Sequence, residues 1–318
     1  MAPSDAHDMG KPSGPFKGKR RASEGLQGTI ALDKRVAVIT PAFRAARWLG
    51  EAVKSVTAQT HAEWEHWIIA DDGDDYETLL KSQGLADPRQ RFLSTGRIGA
   101  GASRARNLAL DRIDTPYVAI LDADDRLKPE KLARAVAALG DHPIVSTALD
   151  VMTDAYEHLR FVGDGPDQVL TPGRYKFTAL SMDSMIAWDR RVTDARYDLD
   201  LTNMTDLELL MQLWQKADRV YHLGTPLHDY VKVSSSMSNA EGVTDRMIAS
   251  KRTLLARIEG GHYRFAAPDA AEGLAGFLGI SLAAEAAYPI ERQTRPDLLF
   301  EDNLEPLLRR FEAHQKPN

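Results

Sequence analysis

The sequence predicts an α/β protein with a mainly parallel central sheet flanked by helices and a small C-terminal helical region. Three observations carry this. Short apolar runs alternate with amphipathic helical stretches four times from Val36 onward, the rhythm of parallel strands joined by helical crossovers. Two of the runs end in clustered carboxylates, Asp71-Asp72 and Asp122-Ala123-Asp124-Asp125. After about residue 142 the alternation gives way to strand pairs, and toward the C-terminus to helical periodicity alone.

Taken in order, Val36-Ala37-Val38-Ile39-Thr40 reads as a first buried strand stopped by Pro41. Trp48, Leu49, Ala52, Val53 and Val56 recur at helical spacing and give a helix ending near Gln59. Trp67–Ala70 is a second strand, followed by a helix through Leu79 and Leu80 and a short strand at Arg91–Ser94. A glycine-bearing loop, Gly96–Gly101, leads into a helix through Ala105, Leu108 and Leu110. Thr115-Pro116 breaks that helix, and Val118-Ala119-Ile120-Leu121 is a strand running straight into three carboxylates. Pro129 suits the first turn of the next helix.

Beyond residue 142, Ile144–Met152 and Tyr156–Val162 read as strands around a turn, with another strand at Ser184–Trp188. Asp206–Lys216 has a helical stripe of Leu207, Leu210, Met211 and Trp214, and 219–238 reads as short strands and loop. Helices are expected from Thr244, over 269–288 and over 303–313.

Composition permits such a fold and excludes several chemistries. Of 318 residues, 43% are hydrophobic and 27% charged, so a sizeable core is expected. The absence of cysteine rules out disulfides, thiolate metal sites and a Cys nucleophile. No uninterrupted apolar stretch reaches the length of a membrane span, and residues near the N-terminus lack an apolar signal-type core. The net charge of −6 is uneven: seven basic and four acidic residues fall within 1–35, leaving −9 for the remainder. An acidic body argues against nucleic acid as a partner. Residues 1–34, with Lys17–Arg21 in Gly-, Pro- and Ser-rich sequence, read as a disordered basic tail. Such a tail is solvated, with peripheral contact to anionic lipid as the alternative. The expected location is cytoplasmic, at most peripheral at the inner face of the membrane.

The acidic strand ends are the chemical signal. Open parallel sheets bind ligands beyond the carboxyl ends of their strands, so both clusters belong on one ligand-facing edge. Hard carboxylate oxygens spaced by one residue suit Mn²⁺ or Mg²⁺, which keep waters and share their shell with substrate phosphates. Gathered like charges raise each other's pKa unless a cation intervenes. For either cluster alone, a solvated turn capping the next helix is an equal rival. The loop ahead of Ser103-Arg104-Ala105-Arg106 adds cationic groups on the same edge. An EF-hand is excluded, because its turn glycine and bidentate glutamate would fall on Leu127 and Ala133.

Val36–Phe43, Ala58-Gln59-Thr60, Ile68–Gly73, Ala105-Arg106-Asn107 and Leu121–Asp125 together resemble the ordered signatures of family 2 glycosyltransferases. The resemblance resumes at Ser184–Leu213 and Pro226–Ser238. It implies a GT-A (Rossmann-like) domain over 35–240, with a nucleotide-sugar-binding half at 35–141 and an acceptor-binding half at 142–240. Residues 241–318 then form a C-terminal helical extension. By the same resemblance Pro41, Ala42 and Phe43 line the nucleotide base, Asp72 accepts from it, and Arg106 lies near base or diphosphate. Asp122 and Asp124 form a DxD-type motif, Asp122 toward the donor and Asp124 on a Mn²⁺ or Mg²⁺ ion. Asp125 is the competing ligand, and His228 a late histidine that completes the shell. Asp206 is the general base, where the usual preceding acid is Thr205, and Glu208 is a weaker candidate. The usual Arg after Tyr230 is Val231 here.

The implied reaction is metal-dependent, inverting transfer of one sugar from a nucleotide-sugar, a UDP-sugar in most relatives, to a hydroxyl acceptor. A saccharide or lipid-linked saccharide is the expected acceptor. Processive synthesis is not expected, because Gln212-Leu213-Trp214-Gln215 is not the QxxRW motif. The rival readings are a sugar nucleotidyltransferase, whose Gly-rich start is missing, and a catalytically silent scaffold of the same fold.

Overall fold

The computed structural model describes residues 33–178, 180, 185–232, 243–295, 298 and 300–315. Residues 1–32 of the expected basic tail, Ser184 at the start of an expected strand, and 233–238 lie outside the described residues. From Asp33 onward the chain clusters as one unit.

Continuous apolar runs become the centre of the sheet. β1 (Val36–Ala42) pairs in parallel with β2 (Trp64–Ala70) on one side and β4 (Tyr117–Ile120) on the other, and β2 pairs in parallel with β3 (Gln90–Ser94). Helices α1 (Leu49–Thr57), α2 (Tyr76–Ser82) and α3 (Ala102–Leu110) form the crossovers. β1 and β4 bury both faces, which is why they read as unbroken apolar runs rather than alternating ones. Because these strands run the same way, Phe43, Asp71, Asp72 and Asp122 leave the sheet on one edge.

The second half mixes directions. β5 (Arg126–Leu127) and α4 (Lys131–Leu139) lead to β6 (Ile144–Met152), buried along its whole length, and then to β7 (His158–Val162) and β8 (Gln168–Leu170). After α5 (Pro172–Thr178), β9 (Ala187–Asp189) inserts antiparallel between β4 and β6. α6 (Thr205–Leu213) precedes β10 (Val220–Val231), which lies parallel to β6 and antiparallel to β5. The main sheet order is β3-β2-β1-β4-β9-β6-β10-β5. The parallel ladders carry most of its paired positions.

One expectation is corrected here. The part of 219–238 that is described is a single 12-residue strand, not short strands and loop. Gly224-Thr225-Pro226 looks like a break, but the ladder with β6 absorbs it as register shifts between Leu223 and Pro226 and between Pro226 and His228.

Three helices follow: α7 (Val243–Glu259), α8 (Ala270–Thr294) and α9 (Phe300–Gln315). α8 is long and apolar enough to cross a membrane by length and composition, although Glu272 and Glu285 interrupt its apolar sequence. One third of its apolar window is buried, with Leu274, Phe277 and Leu278 in the main core. Lys251 and Glu285 form a buried ion pair at 2.5 Å between α7 and α8. Arg160 of β7 reaches Glu305 of α9 at 2.5 Å, so the helices are tied to the sheet as well as to each other.

α8 docks on α5 at two glycines. A Cβ on Gly273 would stand 2.2 Å from the Gly173 carbonyl oxygen, and one on Gly173 would stand 2.5 Å from that of Asp269. Both obstacles are backbone, which has no rotamer by which to yield. Gly273→Ala is therefore expected to destabilise the fold by about 1–3 kcal/mol through overpacking. For a chain this size that lowers the melting temperature by several degrees. An unchanged melting curve would show that α5 and α8 do not approach this closely.

Candidate active site

The parallel edge is organised from Asp71 outward. Asp71 is 3% exposed. Its carboxylate accepts from the Thr95 hydroxyl at 2.7 Å and from the amides of Ala100 and Gly101 at 3.0 and 2.8 Å. The glycine-bearing loop hangs on this one side chain, and Gly101 takes φ 101°, a value open to glycine. Asp72 accepts from the backbone N–H of Arg44, from the Tyr76 hydroxyl at 2.6 Å and from the Asp74 amide at 3.0 Å. It is half-buried, so part of its carboxylate still faces the edge. Asp75 caps α2 by accepting from the Thr78 amide.

Phe43 projects from the end of β1 with 45% of its surface exposed. The Arg44 guanidinium lies 5.2 Å from its ring centroid, and Gly99 borders its edge. Pro41 is half-buried. Ala42 is fully buried and its carbonyl accepts from Asp71 N–H, so its methyl is not a ligand-facing group.

The two central acids separate cleanly. Asp125 is 1% exposed, and both of its oxygens are spent inside the fold. Oδ1 accepts from the Val231 amide at 2.8 Å, and Oδ2 lies 3.0 Å from His228 Nε2. The β5–β10 pairing, with His228 opposite Leu127, brings these partners together. Burial pushes Asp125 up and His228 down to about 3. Their contact is therefore a buried hydrogen bond about a neutral imidazole rather than a charge pair. The expectation of Asp125 and His228 as parts of an open metal shell meets a buried brace instead.

Asp124 is half-buried, with no other side chain bonded to its carboxylate among the described residues. Burial, followed by the charges of Asp125 and Asp122, pushes its pKa up to about 8. Tyr230 stands nearby, its hydroxyl raised by burial and by the Asp125 and Glu301 carboxylates. Among the described residues no group of three His, Asp or Glu is set to hold a metal. The donor set that is present still fits Mn²⁺ or Mg²⁺, which take one or two carboxylates and complete the shell with phosphate and water. A site built for a structural metal would look different.

Across the edge, Met204 adopts φ 60° and turns the chain into α6, placing Asp206 in its first turn. Arg106 joins the two halves. It is 4% exposed, with Nη2 2.6 Å from Asp122 Oδ1 and Nη1 3.2 Å from Asp206 Oδ1. The guanidinium lies 5.1 Å from the Tyr197 ring centroid. It sits beneath the edge between two acids, not open at the position expected of a diphosphate contact. Glu208 is 3% exposed and bonded to Gln212 at 2.7 Å and Tyr263 at 3.2 Å. It braces α6 and does not face the edge.

Two residues escaped the sequence reading. Asn107 donates to the Tyr197 carbonyl and accepts from its amide, each at 2.8 Å, and Tyr197 is 2% exposed. Asn107 carried a signal, since it follows Arg106 in the Ala105-Arg106-Asn107 motif. Tyr197 carried none: it sits in irregular chain whose place is set by contacts 90 residues away.

A parallel α/β half with an acidic strand-end edge, joined to a mixed second half, is the layout of a GT-A fold. Residues 37–163 match the model of glycosyl transferase family 2. It is 28% identical over 208 residues to TuaG of Bacillus subtilis, a glycosyltransferase assigned to teichuronic acid biosynthesis. That match covers 64% of this chain and 81% of TuaG. WfgD of Escherichia coli, a UDP-Glc:alpha-D-GlcNAc-diphosphoundecaprenol beta-1,3-glucosyltransferase, is 33% identical over 107 residues, 34% of this chain and 42% of WfgD.

Among solved structures, S. aureus TarS 1–349 in complex with UDP-GlcNAc superposes with a TM-score of 0.61 at 15% identity, over 80% of this chain and 73% of that one. The mannosyltransferase PcManGT from Pyrobaculum calidifontis, in complex with GDP-Man and Mn²⁺, gives 0.55 at 16% identity over 88% and 79%. At these identities the likeness is one of fold.

Proposed function

We propose that this glycosyltransferase moves one sugar from a UDP-sugar to a hydroxyl of a glycan or glycolipid precursor, with inversion at the anomeric carbon and with a divalent metal. The observation that carries it is the pair of half-exposed acids facing one edge: Asp124 at the end of the parallel half and Asp206 at the start of α6. The donor half is residues 35–141, the acceptor half 142–240, and the helices from Val243 onward pack on the acceptor half.

Phe43 and Pro41 flank the base, Phe43 by stacking on it, while Ala42 supports them from the core. Asp72 and Asp122 orient the nucleoside, and Asp124 would hold the metal, which when bound would supply charge neutralisation at the departing diphosphate. Asp206 takes the proton of the acceptor hydroxyl as its oxygen bonds to the anomeric carbon, and the bond from that carbon to the diphosphate oxygen breaks on the opposite face. The nucleoside diphosphate leaves with the electron pair. Asp125 and His228 hold the Asp124 loop from below. The UDP-Glc-dependent activity of WfgD and the UDP-GlcNAc complex of TarS support a uridine donor; the GDP-Man complex of PcManGT keeps guanosine as the comparison.

A thermal-shift assay tests the donor. A ligand that binds only the native state at 100 times its Kd adds about 2.7 kcal/mol of stability. UDP with Mn²⁺ is expected to raise the melting temperature by roughly 5 °C, and GDP with Mn²⁺ by less. No shift with either nucleotide would remove this reading.

A further inference from the structure

The site has an internal connection that donor and acceptor roles alone do not require. Asp122 leaves the end of β4, and Asp206 opens α6, yet one guanidinium bonds both. Its neighbour in sequence, Asn107, grips the Tyr197 backbone at both its N–H and its C=O. Tyr197 in turn packs on Arg106 and lies against Asp206. Two consecutive residues of α3 thus touch both ends of the segment that runs from Tyr197 to Asp206.

We infer that Arg106 and Asn107 are positioning residues that set the Asp206 carboxylate, and that Arg106 couples this to the donor side through Asp122. The inference rests on the transferase reading above and deepens it. The physical basis is a buried cation that must keep anionic partners. At 4% exposure Arg106 has no water to replace a lost carboxylate. When a nucleotide–metal complex engages the donor edge and draws on Asp122, the guanidinium leans on Asp206 as its remaining anion. Donor binding therefore firms the hold on Asp206 before an acceptor arrives. A guanidinium suits this task because its planar fork serves two carboxylates at once, which one ammonium does less well.

The test compares wild type, Arg106→Gln, Arg106→Lys, Asn107→Ala, Asp206→Asn and the double variant Arg106→Gln/Asp206→Asn. Calorimetry with UDP and Mn²⁺ reads donor affinity, and release of UDP from UDP-glucose or UDP-N-acetylglucosamine reads turnover. Arg106→Gln is expected to keep UDP affinity within about threefold while kcat falls about 100-fold at little-changed donor KM. Arg106→Lys should regain part of the rate, and Asn107→Ala should show the same kcat-only pattern more weakly.

The double variant should lose no more than Asp206→Asn alone, because both changes remove one function. A tenfold loss of UDP affinity in Arg106→Gln with kcat kept would make Arg106 a diphosphate ligand and overturn the inference. So would losses that multiply in the double variant. Should Arg106→Gln fail to fold, Arg106→Lys and Asn107→Ala carry the same comparison. Read in melting temperature, the cycle tests the bridge without any turnover. If wild type neither binds UDP nor releases it, the transferase reading fails, while a non-additive melting cycle would still uphold the bridge.

Discussion

Asp206→Asn is expected to bind UDP and Mn²⁺ as the wild type does and to lose sugar transfer by about 10²- to 10⁴-fold, the range that general-base removal spans. The substitution is nearly isosteric and leaves only a neutral oxygen before Arg106 Nη1, so the fold survives while the ion pair and the proton affinity do not. Its position supports the role. Asp206 stands on the first turn of α6, held by a left-handed residue before it and by a buried guanidinium beside it. Its side chain is 26% exposed, open enough to meet an acceptor hydroxyl. The rival acid on the same helix is Glu208, which is buried against Tyr263 and Gln212. Transfer at the wild-type rate in Asp206→Asn would remove it as the base. Loss of UDP binding in the same variant would show that it serves the donor instead.

The parts of the fold that could be read directly are those where burial on both faces leaves an unbroken apolar run. β1, β4 and β6 are such strands, and they place the acidic edge without any knowledge of contacts. The end of the chain was legible for a local reason too, since apolar residues recur at helical spacing along α7 and Ala-rich sequence fills α8. β10 was not, because Gly224 and Pro226 carry the local chemistry of a break. What overrides them is pairing with β6, a partner some 76 residues away in sequence.

The site shows the same division. That carboxylates gather at strand ends follows from local sequence, but what each one does is decided over long separations. Asp124 and Asp125 are adjacent and chemically identical, and sequence offers nothing to choose between them. The β5–β10 ladder chooses, by bringing His228 and the Val231 amide to Asp125 across 103 and 106 residues. Arg106 likewise reads as a surface cation on a ligand-facing loop. Its burial follows from Asp206 and Tyr197, which approach only once the second half has folded onto the first.

That choice between neighbours sets the second large effect. Asp124→Ala is expected to abolish Mn²⁺-dependent turnover of donor, with a loss of about 10³-fold or more, since a Lewis-acid contact is worth several kcal/mol at a leaving phosphate. The melting temperature without ligand should hold or rise, because the change relieves a half-buried carboxylate that repels Asp125 and Asp122. Asp125→Ala should behave in the opposite way. It strips the partners from the Val231 amide and from His228 Nε2 in a fully buried place, which costs about 1–3 kcal/mol for each polar group left unpaired. Its defect is then one of folding, and the fraction that folds should retain Mn²⁺-linked UDP binding. The two variants are told apart by reading melting temperature and Mn²⁺-dependent UDP affinity on the same samples. Lost metal dependence with unchanged stability in Asp125→Ala, beside a normal metal response in Asp124→Ala, would move the ligand to Asp125. That result would also require β5 and β10 to part, because a carboxylate only 1% exposed offers no open face to a cation.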